Sequence, residues 1–241
     1  MIEKGIAVAS FDVFPNSTIK PSALQRYMQQ LAREDCDAMN CTYNNMRDVN
    51  MVFVLTKLGI KINEPVFAYD QLTVRTYNNL ISGITFVREF EFYRGGKEVI
   101  HATTQWVIVR YDTRRIVRPR EFPYEIPEHK LDCASVEIPR TLGAKDIPPC
   151  GERTVRLSDL DENDHLNNCV YSDITLDFLP YDRKDDFVSD IRIIFHHEAR
   201  IGDVLQVGVA EKEEGYAVMA VNSTNESVCF EAECSFGKIS R

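Results

Sequence analysis

The sequence predicts an α+β protein in which one plan, a long helix packed on a curved antiparallel sheet, occurs twice. Three observations carry this expectation. Residues 20–39, KPSALQRYMQQLAREDCDAM, set Leu24, Tyr27, Met28 and Leu31 at helical spacing behind Pro21. The segments that follow are rich in β-branched and aromatic residues and are broken by Asn-Asn and Gly-Gly turns, as antiparallel strands are. Finally, IKINEPVFAYDQLTV (60–74) aligns with IRIIFHHEARIGDVLQV (191–207), and a small gap brings Asp70 opposite Asp203. A repeat of that length points to an internal duplication.

In chain order, a strand over Gly5–Val13 leads into a turn at FPNST and then the helix. Strands are expected over 52–63, 71–79, 82–94 and 97–112. Residues 113–150 are rich in Pro, Arg and charge and read as a connection with little regular structure. The second copy opens with a strand over Arg153–Leu157. A helix beginning near Asp164 follows, with Leu166, Val170, Ile174 and Phe178 on one face. Strands over 189–199, 203–214, 215–224 and 227–239 complete it. The boundaries are therefore 1–123, a connecting segment 124–150, and 151–241. One helix against each twisted sheet lets both bury their apolar faces.

Composition narrows the class. The chain has 241 residues, of which 44% are hydrophobic, enough for a sizeable core. No apolar run approaches the roughly 18–20 residues that span a bilayer, so no membrane association is expected. MIEKGIAVASFDVFPNS alternates like a strand and reads as neither a signal nor a transit peptide. Seven dispersed cysteines without a CxxC pair suit reduced thiols in the cytoplasm. A net charge of −9 argues against a nucleic-acid binder.

The densest polar stretch is VRLSDLDENDHLNNCVYSDITLDFLP (155–180). Asp and Asn before a helix are ordinary caps and turn formers, but a histidine among them is not explained that way. In this frame the segment resembles the active-site region of the acyl-acyl carrier protein thioesterases of plants and bacteria, which have a double hotdog fold. The similarity extends over essentially the whole chain, through VFVLTKLGIKINEPVFAYDQLTVRTY, TTQWVIVRYDTRRIVRP and FHHEARIGDVL. The resemblance implies that Asp161, Asn163, His165 and Glu198 are the catalytic residues. The family has also been read as using a Cys-His-Asn triad, but the position after Glu198 is Ala199 here, which excludes a thiol at that place.

Thioester hydrolysis needs an activated nucleophile and a stabilised oxyanion, because a thiol of pKa about 8–9 leaves without much acid assistance. His165 suits a base or donor near neutral pH. Asn163 suits a donor to the carbonyl oxygen or a holder of water, Asp161 a partner of the histidine or a nucleophile, and Glu198 a base for water. Covalent attack by a carboxylate and direct attack by water both remain open. Cys169 is a further possible thiol nucleophile, although a small buried residue is the simpler reading. A metal at His196, His197 and Glu198 is disfavoured, since strand alternation leaves only His196 and Glu198 on one face. The reading calls for no metal and no cofactor.

The first copy has no histidine on its helix, and Pro65 stands near the place of Glu198. Leu24, Met28, Met51 and Phe53 are therefore expected to hold the acyl chain, with ordinary core packing as the competing role. The run RYDTRRIVRPR (110–120) holds a basic cluster in which Arg114 and Arg115 are expected to meet an acidic partner or a phosphate. The partner that the resemblance implies is an acyl carrier protein bearing a phosphopantetheine-linked fatty acyl chain, with a homodimer as one compatible assembly. Two other functions fit the fold: a dehydratase or hydratase of acyl thioesters, and an acyl-thioester sensor without turnover.

Overall fold

A computed structural model describes residues 1–133, 135–143, 147–179 and 184–239. Its elements are β1 (Ile2–Ala7), α1 (Pro21–Ala38), α2 (Tyr43–Asp48), β2 (Met51–Ile62), β3 (Gln71–Ser82), β4 (Thr85–Arg94), β5 (Lys97–Arg110) and β6 (Ile116–Val117). They continue with β7 (Pro149–Thr154), α3 (Asn168–Asp177), β8 (Asp186–Phe195), β9 (Val204–Lys212), β10 (Gly215–Asn222) and β11 (Ser227–Lys238).

One antiparallel sheet runs β1-β3-β4-β5-β2-β8-β11-β10-β9-β7, with β6 added against β5. Each half has the same internal order, so the duplication is visible in topology as well as in sequence. The halves join where β2 pairs with β8, and Ile60 faces Ile191 across that seam. Those two residues are equivalent in the repeat alignment, so a local twofold passes beside their pair.

α1 begins at Pro21, whose missing N–H costs nothing in a first helical turn. Leu24, Met28 and Leu31 are buried in the core that the sheet encloses, together with Ile60, Ile174, Ile193 and Phe230. α1 also lies against α3. Gln25 Nε2 donates to Ser172 Oγ, and Arg26 pairs with Asp173 at 3.5 Å.

The two helices differ in length, 18 residues against 10. The second starts at Asn168 and not near Asp164. Asn167 caps it by accepting the Cys169 N–H, and the preceding Leu166 N–H is taken by the carbonyl of Ala199. Leu166 is thus apolar at a helical interval without being helical. The first strand also ends earlier than its alternation suggests, at Ala7, where Val8 turns to bond Asp70. The short α2 was not foreseen; Thr42 caps it through the Asn45 N–H.

The connecting segment crosses the sheet on the face away from the helices. Leu58 and Ile60 point into the core, so Gly59 points outward. There a Cβ would stand 2.7 Å from Val136 and 3.0 Å from Ile138, which explains the glycine. Gly208 makes the same allowance for the backbone of Ile147 and Pro148. Val136 N–H donates to Thr103, and the Leu142 N–H donates to Glu231. This outer face also hides a polar network. Glu89 is fully buried, accepts from Thr103 and Ser135 (both 2.6 Å), and meets His101 Nε2 at 3.1 Å. Within the connection, positions 134 and 144–146 lie outside the described residues.

Candidate active site

The backbone of the 159–167 loop is a property of the fold. In the second repeat the Asp161 N–H donates to the His165 carbonyl (2.8 Å), Leu166 to Ala199 (2.8 Å) and Asn167 to Asp159 (2.9 Å). In the first repeat Phe14 donates to Thr18 (2.8 Å), Ile19 to Val66 (2.8 Å) and Lys20 to Asp12 (2.9 Å). The same hairpin has been built twice. Ser17 and Asp164 even share a positive φ, at 66° and 59°. Asp70 and Asp203, matched from sequence alone, each accept the backbone N–H three residues earlier.

What differs is the side chains. Asp161, Asn163, His165 and Glu198 occupy the places that Phe14, Asn16, Thr18 and Pro65 hold in the first repeat. The Leu166–Ala199 backbone bond ties together the two loops that carry His165 and Glu198. His165 Nε2 stands 3.2 Å from Glu198 Oε2, and Arg114 Nη2 meets that same oxygen at 3.0 Å. Arg114 belongs to the first repeat, so the pair is completed across the pseudo-twofold. Asn163 Oδ1 accepts from the Tyr43 hydroxyl at 2.9 Å.

Asp161 does something other than face the histidine ring. Its Oδ1 accepts the backbone N–H of Asn163 (2.8 Å) and of His165 (3.2 Å). It closes the turn that presents the other two side chains, as an Asx turn does. Its carboxylate makes no hydrogen bond or ion pair with the imidazole.

Asn163, His165, Glu198 and Asp161 line one cleft of about 350 Å³. Met51 and Phe53 line its apolar side, with Met46, Phe86 and Trp106, none of which was singled out from sequence. Phe53 and Phe86 meet edge to face, their centroids 5.3 Å apart, and with Phe122 form a cluster distinct from the main core. Leu24 and Met28 are not on the cleft. Both point into the main core, the competing role their helical spacing also allowed. Arg114 reaches the site, while Arg115 is exposed and does not. A Met or Phe on β2 looks the same in sequence whichever face it takes, so only the tertiary packing singles these out.

The His196–Glu198 run lies beyond the end of β8, so strand alternation does not govern it. His196 turns to Glu231 (2.9 Å), His197 to the Val228 carbonyl (2.9 Å) and Glu198 to His165. They do not converge as metal ligands do. Ligand-type groups do gather on the outer face, where Glu89, His101 and Cys133 bring atoms within 4.8 Å. Glu89 is already bonded there by two hydroxyls and the imidazole. Cys169 is buried beneath α1, where burial pushes its thiol up to about 12, far from a reactive thiolate.

Two fused repeats of a helix wrapped by antiparallel sheet, with one polar cluster beside an apolar cleft, define a double-hotdog protein. Residues 3–125 match the acyl-ACP thioesterase N-terminal domain, and residues 149–238 match the acyl-ACP thioesterase C-terminal domain. The chain belongs to the acyl-ACP thioesterase family.

Among curated proteins, it is 22% identical to oleoyl-acyl carrier protein thioesterase 2, chloroplastic, of Arabidopsis thaliana, over 91% of this chain and 65% of that protein. It is 24% identical to the acyl-[acyl-carrier-protein] hydrolase FATB3, chloroplastic, of Cuphea viscosissima, over 70% of this chain and 44% of that one. The chain thus spans two-thirds or less of the length of these relatives. Among solved structures, an acyl-ACP thioesterase from Bacteroides thetaiotaomicron superposes with a TM-score of 0.87 at 21% identity, covering 98% of this chain and 97% of that one. The 12:0-ACP thioesterase from Umbellularia californica gives 0.80 at 15% identity, covering 98% and 97%.

Proposed function

We propose that this chain hydrolyses the thioester of a fatty acyl chain carried on an acyl carrier protein, releasing the free fatty acid and the carrier thiol. The observation that carries the reading is the His165–Glu198 contact at 3.2 Å, with Asn163 beside it, at one end of an apolar cleft. An acyl chain lies against Met51, Phe53 and Phe86, and its carbonyl reaches the polar end. In this reading residues 1–123 supply the chain-binding wall, 124–150 connect, and 151–241 supply the polar groups.

The chemistry follows from which atoms are free. Glu198 Oε2 is held by His165 and Arg114, which leaves Oε1 to take a proton from water. The water oxygen bonds to the carbonyl carbon, and the carbonyl electrons move onto oxygen. Asn163 Nδ2 donates to that oxyanion, worth about 10²–10³ in rate where such a donor is well placed. Collapse of the intermediate breaks the C–S bond, and the departing thiolate takes up the proton from the His165–Glu198 pair. Attack by Asp161 instead of water would have to come from Oδ2, because its Oδ1 accepts two backbone N–H groups.

Arg115, Arg118 and Arg120 are exposed beside the cleft-lining Arg114 and offer charge to an acidic carrier protein. Among the described residues no helix is long and apolar enough to cross a membrane, and all seven cysteines are free. Free thiols support a reducing compartment, the cytoplasm in our reading. The test is release of free thiol from acyl-ACP substrates of graded chain length. Formation of an enoyl product instead would assign a dehydratase, and tight binding without turnover would assign a sensor.

A further inference from the structure

The Asn163 amide is used in a way that its counterpart in the first repeat is not. Asn16 holds the equivalent place in the twin hairpin. Its Oδ1 accepts both the N–H and the hydroxyl of Thr18, and its Nδ2 donates to the Asp186 carbonyl. Both ends of that amide are taken up inside the fold, which makes it a turn residue. Asn163 lies on the cleft, its Oδ1 bonded to the Tyr43 hydroxyl at 2.9 Å. Its Nδ2 has no protein partner among the described residues.

An amide whose oxygen is fixed has only one direction left for its N–H groups. Tyr43 stands on the first turn of α2, in the opposite repeat, and itself lines the cleft. The guanidinium groups of Arg33 and Arg47 lie 5.4 and 5.8 Å from its ring centroid. Cations at this distance are attracted to the ring and help hold it in place beside the cleft.

We infer that Tyr43 is a positioning residue for the reaction: its hydroxyl holds Asn163 Oδ1 so that Nδ2 faces the thioester carbonyl oxygen. The inference rests on the hydrolase reading above. It adds that the first repeat sets the oxyanion donor as well as the chain-binding wall. It also explains why the short α2 lies next to the polar cluster. Hydrogen-bond donors aimed in advance at developing charge lower the barrier because they need no reorganisation during the step.

The test is a double-mutant cycle on the intact chain, with kcat, KM and melting temperature measured for each variant. Tyr43→Phe keeps the ring and removes only the hydroxyl. It is expected to lower kcat about tenfold, with KM within about twofold and an unchanged melting temperature. In an Asn163→Ala background, the same Tyr43→Phe change is expected to have no further effect on kcat. A normal kcat in Tyr43→Phe overturns the inference and leaves the site reading standing. A full multiplicative loss in the double variant also overturns it, since Tyr43 would then act independently of Asn163. If Asn163→Ala alone turns over normally, both the inference and the role of Asn163 in the hydrolase reading fall.

Discussion

Glu198 Oε2 is shared by two partners from different repeats, His165 Nε2 at 3.2 Å and Arg114 Nη2 at 3.0 Å. If this shared oxygen belongs to the reaction centre, His165→Ala and Glu198→Ala each lower turnover by at least about a hundredfold. The melting temperature moves by only a few degrees, because neither side chain is packed in the core. The double variant loses much less than the product of the singles, since the groups act as one unit. Steady-state rates near normal in both singles would reduce the cluster to loop structure.

Asp161 separates carboxylate chemistry from turn geometry. Asp161→Asn keeps an oxygen that can accept the Asn163 and His165 N–H groups, and is expected to keep turnover within about tenfold. Asp161→Ala removes that acceptor. It should cost about 0.5–2 kcal/mol of stability, as the loss of a cap does, and turnover with it. Should the Asn variant prove as inactive as the Ala variant at normal stability, the charge of Asp161 takes part in the chemistry.

A thiol nucleophile is not expected. Burial holds Cys169 protonated, its thiol pushed up to about 12, and Ala199 is fully buried beside Glu198. Replacing all seven cysteines by Ala or Ser should cost less than about tenfold in a variant that stays folded, or about 1.4 kcal/mol at the transition state. A loss of several orders of magnitude traced to Cys169 alone would restore the thiol route.

Chain-length preference is expected to follow Met51 and Phe53, which line the cleft, and not Leu24 and Met28, which α1 turns into the main core. Met51→Trp, on the cleft wall, should shift hydrolysis toward shorter acyl chains. Met28→Trp overfills the main core instead, with a cost of about 1–3 kcal/mol and no change in the order of preference. Hydrolysis measured across a chain-length series distinguishes them, and the reverse pattern would move the acyl chain beneath α1.

His101 gives stability a pH dependence. Burial works against its charged form, but the hydrogen bond to Glu89 and the charges of Glu89, Glu98 and Glu91 outweigh it, so its pKa lies above the usual value. A raised folded pKa adds stability that is complete below the unfolded pKa and is lost as pH rises through the folded one. The melting temperature should therefore fall as pH rises from the ordinary histidine range through the raised pKa. In His101→Gln that part of the dependence should be absent. Parallel profiles for the two proteins would mean that His101 is not charged in the fold.

Much of the architecture was legible because it depends on local periodicity. Leu24, Met28 and Leu31 at helical spacing placed α1, and alternating β-branched runs placed the strands of both halves. The alignment of 60–74 with 191–207 exposed the duplication, down to the matched turns at Asp70 and Asp203. His165 and Glu198 were also named in sequence, by resemblance of their motifs and not from any local pattern that would force them together.

Tertiary structure decided what depends on where distant segments meet. The Leu166 N–H belongs to Ala199 and not to a helix, so α3 starts late and the polar loop stands free of it. The carboxylate of Asp161 turned to its own backbone. Tyr43 and Arg114 came to the site from the other repeat, across a seam that no local spacing encodes. Leu24 and Met51 are equally apolar in sequence, yet one fills the core and the other lines a cleft. The physical reason is one of range. Hydrogen-bonding and hydrophobic periods act over a few residues and are written in order along the chain, whereas the direction of an individual side chain is settled by contacts among segments that only the closed fold brings together.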